Sequence, residues 1–284
     1  MAGICGTDLE IQAGYKNFIG IPGHEFVGTV EKDCSGRFTD KRVTAEINIP
    51  CNKCYLCKAG KKNHCINRKV MGMIDKDGAF VEYMTIKREN LHVIPNKVSD
   101  LEAVFIEPLA AVLEIPEKIH IKLTDSIMVL GDGKLGLLTA VSMHNLGYNI
   151  SITGKHKQKL AVAAEYDIPT FLLNENTEKY DIVIDTTGSK SGIQDALKTV
   201  KPEGKVVLKT TVADKTSLDL NKIAVNELSI IGSRCGPFTA AIRLLSRHDL
   251  KLHKLVEKTF DFDNALKAFQ YAKEKGPLKI ILQF

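Results

Sequence analysis

Four cysteines, Cys51, Cys54, Cys57 and Cys65, follow one another with two, two and seven residues between them. Thiolates this close along the chain can surround one ion with only a short loop, and a tetrahedral sulfur set selects Zn²⁺. Protein fills all four positions, so the expected site is structural, and metal binding becomes folding energy for that lobe. Four free or buried thiols are the plainer alternative. A second set mixes donor types: Cys5, Thr7 and Asp8 in "GICGTDLE", with His24 and Glu25 in "GHEF". Sulfur, imidazole and carboxylate together also suit zinc and can leave one position open. An ion held that way is a Lewis acid, able to lower the pKa of an alcohol. Asp8 is suited to accept the second ring proton of His24, and Thr7 to hydrogen-bond the reacting oxygen. Taken singly, a cysteine and a His-Glu pair are equally at home in a structural role.

A third pattern, Gly131-Asp-Gly133-Lys134-Leu135-Gly136, lies between the strand-like "SIMVL" and the helix-like "LLTAVSMHNLG". Strand, glycine loop and helix in that order form a dinucleotide-binding arrangement, with the pyrophosphate at the helix N-terminus. A plain tight turn would use the same glycines. The next strand, "NISIT", ends at Gly154-Lys155-His156, where an NAD-binding chain places an acid on the ribose hydroxyls. With glycine there, nothing at that position repels a 2′-phosphate. Lys155 and His156 could pair with it or simply face solvent, and the expectation is NADP in preference to NAD.

The elements that must position these residues change character along the chain. Up to about residue 100, Gly and Pro breaks and short runs such as "FVGTV" and "AFVEYMTI" predict an irregular β-rich domain. Beyond it, "LEAVFIEPLAAVLEIPEKI" is apolar at helical spacing. Strands are then predicted at "SIMVLG", "NISIT", "TFLLN", "DIVIDTT", "KVVLKT" and "LSIIGS", with helices around 134–146, 156–166, 190–199 and 238–246. That alternation predicts a parallel sheet covered on both faces, an α/β doubly wound arrangement. The tail adds an amphipathic helix, a Gly-Pro break and a last strand.

The 284 residues are 44% apolar and 26% charged, enough to bury a sizeable core in one large or two ordinary domains. A net charge of +5 could suggest nucleic acid, but the bases are interleaved with 34 acids and show neither aromatic interleaving nor a recognition motif. No apolar run is long enough to span a membrane, and no secretory signal opens the chain. Seven cysteines, an odd number with four in one cluster, fit metal binding in a reducing compartment. The expected protein is soluble and cytoplasmic, with no nucleic-acid or membrane partner.

In this order the motifs resemble the zinc-containing medium-chain dehydrogenase/reductases, the alcohol dehydrogenase superfamily: Gly-x-Cys-Gly-Thr-Asp, Gly-His-Glu, the cysteine lobe, Glu-Pro-Leu, then Gly-x-Gly-x-x-Gly. "EPLAAVLE" is similar to the polyol, glucose and threonine dehydrogenase branches, which implies Glu107 as a further candidate ligand beside Cys5, His24 and Glu25. The resemblance implies a GroES-like catalytic domain of residues 1–118 and 234–284 and a Rossmann domain of 119–233, with the active site in the cleft between them. It implies hydride transfer (EC 1.1.1 type) between NAD(P) and an alcohol, polyol or carbonyl substrate, catalytic and structural zinc, and a homodimer or homotetramer. Members that relay the alcohol proton through a histidine carry it where this chain has Glu10. About thirty residues usually precede the first zinc cysteine in the family. The expectation is therefore a catalytic sheet short of its first strands, with open edges and uncovered apolar surface. The alternative is a shortened, catalytically weak protein that binds nucleotide and zinc.

Overall fold

Short strands separated by turns make up the first part of the chain: β1 (Ala2–Ile4), β2 (Glu25–Phe26), β3 (Gly28–Thr29), β4 (Arg42–Ala45), β5 (Asn48–Ile49), β6 (Lys69–Val70) and β7 (Leu91–Val93). In this computed structural model, which describes residues 1–211 and 216–284, these strands belong to a unit formed by Met1–Glu107 and Phe238–Phe284. A second unit comprises Pro108–Pro237.

In the first unit β4 is flanked antiparallel by β3 and β7, and β5 pairs with β6 to close the neck of the loop that carries the four cysteines. Asn90 braces that neck, its side-chain amide donating to the carbonyls of Glu46 and Asn48, both at 2.9 Å. One predicted strand is absent. "AFVEYMTI" runs as bends, because the backbone at Gly78, Ala79 and Phe80 donates to the carbonyls of Ile21, Gly23 and Pro22 instead of a neighbouring strand. A Cβ on Gly78 would lie 2.1 Å from the Gly23 oxygen, so only glycine admits this close approach.

The second unit holds a six-stranded parallel sheet, in which β8 (Ser126–Leu130), β9 (Asn149–Gly154), β10 (Thr170–Leu172), β11 (Tyr180–Asp185), β12 (Val200–Leu208) and β13 (Ser229–Gly232) take the order β10-β9-β8-β11-β12-β13. Helices Lys134–Asn145, Lys157–Ala164 and Gly192–Thr199 connect successive strands. Continuous buried runs, Ile127–Leu130 and Ile182–Ile184, are what a sheet covered on both faces requires. The order reverses between β8 and β11, and at such a switch point doubly wound sheets open a crevice for ligands. The loop 131–133 leaves the C-terminal end of β8 there.

The tail rejoins the first unit. Helix Phe238–Arg247 leads to β14 (Val256–Asp261), helix Ala265–Lys275 ends on Gly276 in the left-handed region (φ 53°), and β15 (Lys279–Gln283) follows. β15 lies between β14 and β1, and β1 pairs on its other side with β2, giving a sheet of order β14-β15-β1-β2. Ala2 and Ile4 are fully buried. No open sheet edge therefore falls on β1. Among the described residues, no helix is long and apolar enough to cross a membrane.

Candidate functional site

Cys5 sits at the N-cap of helix Gly6–Gln12, with Asp8 at the third helical position. The Asp8 carboxylate accepts the Cys5 N–H at 2.8 Å and, through its other oxygen, the Gly23 N–H at 3.1 Å. One fully buried acid thus ties the cysteine turn to the turn carrying His24 and Glu25. Gly23 has φ 99°, and a Cβ there would strike the Phe80 ring at 2.8 Å. The result brings one donor atom each from Cys5, His24 and Glu25 within 4.8 Å of one another, with His24 and Glu25 buried. Thr7 is half-buried in the first turn beside them.

The charges around this cluster are arranged for a cation. His24 Nδ1 lies 3.3 Å from Asp8 Oδ1 but off hydrogen-bond alignment, and it has no other partner. Burial disfavours an imidazolium, yet Asp8 and Cys5 outweigh it and hold the His24 pKa well above its ordinary value. Burial likewise opposes ionisation of Asp8, but His24 and the two backbone N–H groups keep its pKa below the usual carboxylate range. A sulfur, an imidazole nitrogen and a carboxylate oxygen brought this close, from Cys5, His24 and Glu25, are a donor set that fits Zn²⁺.

Lys279 was not legible as a site residue. It opens β15, is 2% exposed, and its ammonium donates to Glu25 Oε2. Burial pushes against its charge, but Glu25 first, then Cys5 and Glu107, keep its pKa raised. Gly3, paired with Glu25 across β1 and β2, has the complementary role: a Cβ there would meet Glu25 Oε2 at 2.6 Å and the Lys279 stem at 3.3 Å. Glu107 lies half-buried in the first turn of the helix Ile106–Lys118. It does not join the three donors within their 4.8 Å span, although its charge reaches Lys279.

The cysteine lobe assembles within itself. Helix Tyr55–Lys58 starts at Cys54, and the four sulfurs lie within 4.8 Å of one another, Cys54 3.5 Å from Cys57 and 3.8 Å from Cys65. All are free thiols. N–H groups of Lys53 and Cys54 point at Cys51 Sγ (3.5 and 3.4 Å) and lower its pKa to about 6. The Cys57 N–H lowers that of Cys54, whereas burial and the neighbouring thiols push Cys57 up to about 12. Four sulfurs so close cannot all ionise unaided, and a divalent cation would permit it.

In the second unit, Gly131 takes φ 109°, and a Cβ on Gly136 would lie 1.9 Å from the Gly131 oxygen, so helix Lys134–Asn145 can pack against the loop only through glycine. A Cβ on Gly133, at that helix's N-cap, would meet nothing within 4 Å. This tight turn, open backbone and glycine contact fit a pyrophosphate cradle, with Lys134 and Leu135 opening the helix. Gly154 ends β9 as expected, with Lys155 and His156 exposed beyond it. The place of the missing acid is nonetheless occupied. The Asp132 side chain lies 2.4 Å from where a Cβ on Gly154 would stand, accepts the His156 N–H at 2.5 Å, and is 3.1 Å from His156 Nδ1. An acid side chain thus stands at that corner although residue 154 itself is glycine.

Two family descriptions cover nearly the whole chain: the alcohol dehydrogenase GroES-like domain matches residues 1–96, and the glucose dehydrogenase C-terminus matches residues 102–284. A sorbitol dehydrogenase of Halalkalibacterium halodurans is 28% identical over 305 residues, covering 99% of this chain and 88% of the relative. Among solved structures, a protein described as a short chain alcohol dehydrogenase (rspB) from Escherichia coli CFT073, crystallised with NADH, superposes with TM-score 0.91 at 27% identity, over 100% of this chain and 89% of that one. A Sinorhizobium meliloti 1021 structure bound to NADP gives 0.89 at 25%, over 99% and 89%.

Proposed function

The chain belongs to the medium-chain dehydrogenase/reductase superfamily, and from that premise we propose that it is a zinc-dependent oxidoreductase moving a hydride between an alcohol or polyol and a nicotinamide dinucleotide. The observation that carries this reading is the Cys5, His24 and Glu25 set, its His and Glu buried and its two turns joined by Asp8. Those three residues would hold the catalytic zinc, with Glu107 a candidate for a further position, and the ion would supply Lewis acidity toward the substrate oxygen. The dinucleotide would lie on Gly131, Gly133 and Gly136 at the helix N-terminus and supply the hydride acceptor.

The chain's own groups do the rest. Asp8 fixes the Cys5 backbone and faces the His24 ring, so the donor set is assembled before substrate arrives. Lys279 balances the Glu25 carboxylate, which allows an acid to stand beside Cys5 without water. Thr7 is the hydroxyl proposed to hydrogen-bond the alcohol oxygen. Cys51, Cys54, Cys57 and Cys65 would hold a structural zinc. A cytoplasmic homodimer or homotetramer belongs to the same reading.

The test is a steady-state assay of the zinc-loaded protein with alcohols, polyols and the matching carbonyl compounds, following nicotinamide absorbance. Cys5→Ser should reduce turnover by about a thousandfold or more while the lobe keeps its zinc. Dinucleotide binding without turnover of any substrate would instead favour the catalytically weak alternative.

A further inference from the structure

We propose that Asp132, the residue between the first two glycines of the cradle, is the group that selects the dinucleotide, and that it selects NAD over NADP. The proposal rests on the dinucleotide-binding reading of this loop and adds the choice of ribose.

In doubly wound folds the acid that grips the ribose hydroxyls projects from the end of the second strand, about twenty residues after the glycine loop. Here that strand is β9 and the position is Gly154. A carboxylate comes instead from the loop after the neighbouring parallel strand, β8. Asp132 leaves the end of β8 on the loop 131–133 and fills the space a side chain at 154 would need, all three of its nearest atoms standing 2.4 Å from that Cβ position. Asp132 in this position and a side chain at 154 therefore exclude each other. The loop is fixed against β9 by the Gly131 N–H, which donates to the Thr153 carbonyl at 2.8 Å. The carboxylate is fixed by the His156 N–H and ring.

Two sets of charges compete for a 2′-phosphate. Lys155 and Lys157 are exposed, so water and salt screen their attraction. The Asp132 side chain is only 9% exposed and held in place, so its repulsion is screened far less. The His156 ring, which would otherwise be free to meet a phosphate, is already turned to Asp132. An unphosphorylated ribose meets no such repulsion, and its hydroxyls can donate to a carboxylate.

The measurement is calorimetric titration of the whole protein with NAD⁺ and with NADP⁺. The unmodified protein should bind NAD⁺ about tenfold tighter or more, and Asp132→Asn, which keeps an oxygen for the His156 N–H, should bring the ratio of dissociation constants toward one or past it. Asp132→Ser should move the ratio the same way, so the result does not hang on one variant folding. Equal or tighter NADP⁺ binding by the unmodified protein, or a ratio unchanged in both variants, overturns the assignment and leaves the dehydrogenase reading standing. If neither dinucleotide binds, both fall.

Discussion

The two cysteine-containing clusters of the first unit share an element and little else. The four-thiol lobe is closed by one neck, β5 with β6, and every donor comes from a short loop. The Cys5 cluster takes its donors from two turns, its connection from Asp8, and its charge balance from Lys279 at the far end of the chain. A locally closed site depends on its metal and its own backbone N–H groups. A site assembled from distant segments depends on the buried charges that hold those segments together.

Three substitutions test that contrast. Cys51→Ser should have the largest effect: one zinc per chain is lost, and because that binding energy is also folding energy, Tm should fall by about 10 °C or more. Unchanged zinc content and melting would show that the lobe is not a metal site. Lys279→Met comes next. It leaves the Glu25 carboxylate buried without its partner and should cost about 3–5 kcal/mol in denaturant unfolding of the metal-free protein. Loading zinc should reduce that cost if Glu25 faces the ion, and the double change with Glu25→Gln should recover much of it. The same loss in zinc-loaded and metal-free protein would separate the ion pair from the metal site. Smallest is Asp8→Asn, which should weaken metal at the Cys5 cluster about 10–100-fold in a chelator titration while the lobe's metal is retained. Release of both metals at one chelator concentration would remove the distinction.

The same division governs what could be read in advance. The parallel sheet was legible because strand-like and helix-like runs alternate, with continuous apolar stretches at Ile127–Leu130 in β8 and Ile182–Ile184 in β11, and the glycine loop because its three glycines sit between a strand and a helix. "AFVEYMTI" was misread because its alternating pattern says nothing of Gly78, whose contact with Gly23 turns the backbone away from any strand partner. At the end of β9 the glycine at 154 was legible, whereas the Asp132 carboxylate that fills the space beside it from the neighbouring loop was not.

What the sequence determined by itself is therefore the chemistry available: a four-sulfur lobe, a Cys, His and Glu set with Asp8 beside it, a glycine cradle, and an alternation of elements that leads to a doubly wound sheet. These follow from neighbours along the chain, where spacing and geometry are directly linked. Only the tertiary structure decided that β15 returns beside β1, that Lys279 faces Glu25 over the space Gly3 leaves, and that Asp132 stands where Gly154 has no side chain. The physical reason is that a buried charge and the group that balances it must meet in space, and the fold can bring them together from opposite ends of the chain.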